Sequence, residues 1–172
     1  MKILIGLLLS AVCTLAIAQQ HQHYAGQHSR AIKALSEYEI KQYQSGAGMG
    51  FAKAAELNHF PGPMHALELA DKLQLNPKQR QAIQQLMDEH KRRAREIGAK
   101  FVESERSLDA LFHKQEVEAQ LLEQAVRTAA LLQGDYRLSH LETHRQMRAL
   151  LTNEQIAIYD RLRGYAAVAR PN

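Results

Sequence analysis

The chain has 172 residues, a formal charge of +4, nine histidines, one cysteine and no tryptophan. That is one domain's worth of chain, and four Phe and six Tyr beside a 23% charged content favour long amphipathic helices over a thick globular core. Cys13 lies inside the N-terminal apolar stretch and would leave with it, which excludes disulfides and thiol chemistry from the remainder.

Met1-Lys2 is a short positive start, Ile3 to Leu9 and Ala11 to Ile17 are apolar, and Ala16-Ile17-Ala18 places small residues where a signal peptidase reads. Residues 1–18 are therefore read as a cleavable secretory signal, too short and wrongly flanked to span a membrane. An anchor through Cys13 is the weaker reading, because Val12 fits a lipobox poorly. Export implies a periplasmic protein without stable membrane insertion. Its mild basic excess points to anionic surfaces or unfolded polypeptide as partners, and not to nucleic acid, which is scarce there.

Residues 19–35 form a polar, His-rich arm expected to be flexible. Residues 36–74 are expected to hold short helices between Gly and Pro turns. Ser36-Glu37-Tyr38-Glu39 is a capping box that starts a helix ending near Ser45-Gly46. A second short helix is placed over Phe51 to Leu57, and a third, after Pro61-Gly62-Pro63, over Met64 to Leu73.

The long elements fall within 75–165. Asn76-Pro77 is an N-cap followed by proline at the first helical position. Ile83, Met87, His90, Ala94, Ile97, Phe101, Ser104, Leu108 and Leu111 then alternate in steps of four and three, a heptad seam. A second long helix from Glu116 to Leu150 carries Leu122, Ala125, Ala129, Leu132 and Tyr136 at the same rhythm. Thr152 caps a last helix with Ile156, Tyr159 and Leu162 on one face, stopped by Gly164, and 166–172 is a tail. The fold class is all-α: a long antiparallel hairpin with short N-terminal helices and a short C-terminal one. A turn at Lys114-Gln115 pairs positions whose numbers sum to about 230. Gly98 then lies near Gly134, marking either a close approach or a bend, or else two tolerated surface glycines. A lone hairpin would leave apolar surface wet, so a homodimer, or a bundle closed by the short helices, is expected.

Leu75-Asn76-Pro77-Lys78-Gln79 and Leu151-Thr152-Asn153-Glu154-Gln155 are two versions of one pentapeptide, and Leu75, Asn76, Gln79, Leu151, Thr152 and Gln155 carry it. This resembles the LTxxQ repeat of the Spy/CpxP family of periplasmic proteins, with Asn for Thr in the first copy. The resemblance runs from Met64 to Tyr165, and the Gly46-to-Pro63 segment is similar to the front part of an uncharacterised branch related to periplasmic heavy-metal sensors. The resemblance implies a cradle-shaped helical dimer that holds unfolded envelope proteins without ATP or reports to an envelope stress sensor, with metal-binding relatives.

For holding clients, the candidates are Arg92, Arg93, Arg95 and Lys100 on the first long helix and Arg137, Arg145 and Arg148 on the second. Positive charge would speed capture of acidic chains beside apolar side chains. The plainer reading is a solvated face of Glu-Arg pairs. No cofactor is required by this role. For metal, Cu or Zn, the candidates are His90, His140 and His144, brought together by the hairpin register, with Glu142 or Asp88 nearby. The alternative is that His90 hydrogen-bonds across the seam while the other two face water. A terminus freed at Gln19 would add His21, with its amine and amides, as a square-planar set for Cu(II) or Ni(II). His59, Met64 and His65 around the proline turn form a weaker group. With no phosphate loop, HExxH, GxSxG or paired-acid constellation, no enzyme is expected.

Overall fold

The computed structural model describes residues 24–115 and 117–165. The described residues form helices α1 (Glu37–Ser45), α2 (Lys53–Glu56), α3 (Pro63–Glu68), α4 (Pro77–His113), α5 (Ala119–Leu150) and α6 (Asn153–Arg163), with no strand among them. The first twenty-three residues, which include the expected signal and His21, lie outside the described part, as does the tail after Tyr165. Among the described residues no helix is long and apolar enough to cross a membrane.

α4 and α5 pack as the antiparallel hairpin that the heptads demand. The turn falls at Lys114-Gln115, where Gln115 takes a left-handed φ of 57°. Every residue of both seams is buried or half-buried. α5 begins at Ala119, later than expected, because Glu118 is the residue that takes up the extended N-cap conformation. Both ends of α1 match expectation: Ser36 and Glu39 form the capping box, and Gly46 ends the helix at φ 73°.

α2 and α3 are shorter than their sequence patterns suggest. α3 stops at Glu68, and the chain turns through Asp71 to a left-handed Gln74 so that Leu73 and Leu75 both enter the core. On α6, Ile156 and Tyr159 are buried but Leu162 is 43% exposed. Asp160 takes the inward position expected of Leu162, drawn there by His59.

Two cores result. The first lies at the open end of the hairpin, where Ala66, Leu73, Leu75, Ile83, Met147, Ile156 and Tyr159 bring α3, α4, α5 and α6 together. The second lies midway, where Ile32, Leu35, Tyr43, Ala94, Phe101, Ala129 and Tyr136 join α1 and the preceding segment to the hairpin. The polar arm's last residues thus include two packed side chains, and Lys33 is fixed by its backbone N–H and its ammonium to Asp109.

Gly98 explains how α1 fits. A Cβ there would overlap the Tyr43 carbonyl and press on the Tyr136 ring, so the bare backbone is what lets α1 lie against α4. Gly134 has open space around it. The close approach read from the pair of glycines is real, but its partner is α1 and not the opposite leg of the hairpin.

Candidate functional site

The hairpin register brings His90 of α4 against His140 of α5, with ring centroids 4.5 Å apart at 73°. Phe51 lies parallel to the His140 ring at 6.4 Å, and Tyr136 packs against it at 4.8 Å. His140 is 4% exposed. His90 Nδ1 and His140 Nε2 are both buried without a hydrogen-bond partner among the described residues. Burial, reinforced by His144, Arg93 and Lys91, pushes His90 down to about 4. Burial, then His90 and His144, pushes His140 down to about 3. Both imidazoles are therefore neutral at pH 7, the form that can ligate a metal.

His144 lies one turn further along α5 and is drawn elsewhere. Its Nδ1 donates to the Phe60 carbonyl at 2.8 Å and lies 3.5 Å from a Glu56 carboxylate oxygen. Glu56 also accepts from the Tyr159 hydroxyl, so His144 belongs to a network tying the proline turn to α6. Glu142 is occupied by Arg145 and Gln146, and Asp88 by Gln84. Among the described residues no group of three His, Cys, Asp or Glu stands ready to hold a metal ion. The histidines of the proline turn are apart as well. His59 pairs with Asp160 at 2.7 Å and His65 with Glu68 at 2.8 Å, while Met64 is 47% exposed.

The seven cations divide unevenly. Arg92 and Arg93 both engage Glu89, Lys100 engages Glu96, and Arg145 makes a two-pronged contact with Glu142. Arg95 donates to the Ser45 carbonyl and Arg148 to Asn153. Arg137 alone of the seven has no ion pair or hydrogen bond among the described residues. Between and around these charges stand large exposed apolar side chains: Phe112 at 56%, Leu121 at 45%, Val126 at 48%, Leu131 at 68% and Leu138 at 61%. Leu131 and Leu138 are two turns apart on the outer face of α5. Sequence periodicity placed the seam and so left these outward residues unremarked. The signal was present as apolar residues off the heptad positions.

The paired pentapeptides do more than cap. Asn76 and Thr152 each accept from the backbone of the residue three on, and Gln79 and Gln155 each accept from the cap's own N–H. The two glutamines then meet. Gln79 Nε2 donates to Gln155 Oε1 at 2.8 Å and to the Leu150 carbonyl at 2.9 Å, and Gln155 Nε2 donates back to Gln79 Oε1 and to the Leu73 carbonyl at 3.2 Å. Leu75 and Leu151 are buried in the first core beside them. The motif is thus a pair of helix starts locked amide to amide, which neither copy reveals alone.

The family described as LTXXQ motif family protein matches residues 63–163, the span from α3 to the end of α6. No curated protein and no solved structure gives a match.

Proposed function

The chain belongs to the LTXXQ motif family, the Spy/CpxP-like periplasmic proteins, and from that premise we propose that it is an ATP-independent holdase for unfolded envelope proteins. The observation that carries this reading is the run of exposed Leu, Val and Phe on α5 and the hairpin tip, set among charges most of which, Arg137 apart, are already paired. Fully burying a Leu, Val or Phe contributes about 1.5–3 kcal/mol, and these are 45–68% exposed, so covering one contributes about 1–2 kcal/mol. Several at once, less the cost of association, give affinity no tighter than about micromolar, enough to stop aggregation and weak enough to let a client leave and fold. Neutralised charges keep the surface wet without adding a strong competing attraction. In this reading the protein works as a homodimer, is not an enzyme, and has an envelope stress sensor as a second partner. The purified chain from Gln19 is expected to suppress aggregation of a reduced, unfolding client near equimolar ratio without nucleotide. No suppression at several-fold excess would sink the proposal.

A second reading, as a metal-binding or metal-sensing protein for Cu or Zn, is favoured by one observation: the neutral His90–His140 pair with two unpartnered buried nitrogens. Two imidazoles are half a Zn site, so this reading needs further ligands from His144, a second copy or the His21 terminus. Calorimetric titration of Cu(II) and Zn(II) into the chain, with and without residues 19–28, decides it. Binding that survives removal of the arm and is lost in H90A/H140A supports the pair; equal binding by that variant removes it.

A further inference from the structure

Residues 46–62 precede the span that the family matches, and they build something of their own against α5. Met49, Phe51, Ala54 and Leu57 line one side of an open groove of about 590 Å³ whose other boundary includes Arg137. Lys53 stands in the same groove, and like Arg137 it has no ion pair or hydrogen bond from its side chain among the described residues. Elsewhere on the hairpin the exposed cations singled out above are satisfied by a Glu one turn away or by a backbone or amide oxygen. Two unneutralised cations sharing one groove with a Leu 53% exposed and a Met 39% exposed is a different arrangement.

Met49 adds a second sign. Its φ is 45°, the left-handed region, and it has no polar side-chain atom to bond the backbone there. Such a conformation is disfavoured for an L-residue by roughly 1–2 kcal/mol, and glycine would remove the penalty. The side chain held at that expense still leaves 39% of the residue exposed, so part of its apolar surface is not used in folding. It does, however, add a flexible apolar surface at the mouth of the groove, of the kind that adapts to varied partners.

We infer that this groove recognises a carboxylate lying next to a large apolar side chain in a non-native polypeptide, an Asp or Glu within two residues of Leu, Phe or Met. The guanidinium of Arg137 is suited to a two-pronged contact with the carboxylate, Lys53 adds a point charge, and Met49, Phe51 and Leu57 receive the apolar group. The inference rests on the holdase reading and names its preferred client sequence.

The test uses the chain from Gln19 and fluorescence polarisation with labelled, unstructured ten-residue peptides. The peptides share their apolar residues and differ only in carrying Asp, Asn or Lys at two positions. Wild type is expected to bind the Asp peptide five- to tenfold more tightly than the Asn peptide in low salt, with the preference gone by 0.5 M NaCl, where charges are screened within about 4 Å. K53Q/R137Q is expected to bind Asp and Asn peptides alike, within twofold, and K53E/R137E to prefer the Lys peptide. M49G should weaken all three peptides without changing their order. Both cations are exposed, so unchanged thermal melts check that the variants fold. Equal binding of Asp and Asn peptides by wild type, or a preference that survives in K53Q/R137Q, overturns the groove assignment while leaving aggregation suppression untouched. Absence of binding by any peptide overturns it too, and the client assay then says whether the holdase reading falls with it.

Discussion

The two ends of the hairpin follow one heptad rhythm and come to opposite states. At the open end, Ile83, Met147 and Tyr159 are fully buried, because α3 and α6 lie over the seam and the Gln79–Gln155 pair locks them down. Towards the tip, Ser104, Leu108, Leu111, Leu122 and Ala125 are only half-buried, and Phe112 and Leu121 stand out in water. Periodicity decides which residues face the opposite leg. It does not decide whether a third element arrives to finish the core. Where one arrives the seam becomes stability, and where none does the same residue types become a surface available to other chains.

The largest expected effect falls where α1 closes the middle of the hairpin. Gly98→Ala should destabilise by about 4 kcal/mol, because its methyl meets the Tyr43 backbone and no rotamer can relieve it. A urea titration reads this directly, and a loss under 1 kcal/mol would mean that α1 is loosely held. Next, Ile83→Ala at the covered end is expected to lose about 3 kcal/mol, against less than about 1 for Leu111→Ala near the tip. Equal losses would erase the contrast between the ends.

Acid supplies a third break. His90 and His140 have folded-state values lowered from 6.5 to about 4 and about 3, so the unfolded chain takes up protons first as pH falls. Their contribution is intact above pH 6.5, shrinks below it, and is gone near pH 3. By pH 5 the summed loss is about 3 kcal/mol, taking ~1.4 kcal/mol per unit and discounting His90 for its partial exposure. Urea midpoints at pH 7.5 and 5 measure it, and H140F should remove more than half of the difference, leaving the His90 share. Substituting Gln79 by Ala is expected to lose about 1–2 kcal/mol, with clear non-additivity in a double-mutant cycle with Gln155→Ala. Strict additivity would mean the two amides do not act together. The smallest effect has the opposite sign. Gly134→Ala, with open space around it, should stabilise by about 0.5–1 kcal/mol in a thermal melt.

What could be read from residues alone was what depends on neighbours in sequence. The box at Ser36 and the caps at Asn76 and Thr152 are relations within three residues, and they formed as expected, the last two completed as boxes by Gln79 and Gln155. The meeting of His90 and His140 followed from the position of one tight turn and the rise of two helices. Legibility ended where a partner came from far along the chain. Gly98 announced a close approach but not α1 as its cause, and each pentapeptide announced a cap but not the meeting of its Gln with the other. Leu162 continued an apolar face on paper and yielded the inward place to Asp160, because His59 waited across 101 positions. Arg137 looked like its six fellow candidates, and only its surroundings separated it from them.

The amide pair has a mechanical side. It fastens the start of α4 to the start of α6 and, through the Leu150 carbonyl, to the end of α5, so both legs of the hairpin are pinned at one extremity. α4 continues to His113, 34 residues beyond Gln79 (113 − 79), roughly 50 Å at about 1.5 Å per residue. A tilt of about 5° at the pinned end would swing the tip by about 4 Å, close to the width of a leucine side chain. The tip is closed by the turn after His113 and the legs are joined midway by the second core, so a tilt at the glutamines carries both legs together and sweeps the exposed Phe112 and Leu121 as one surface.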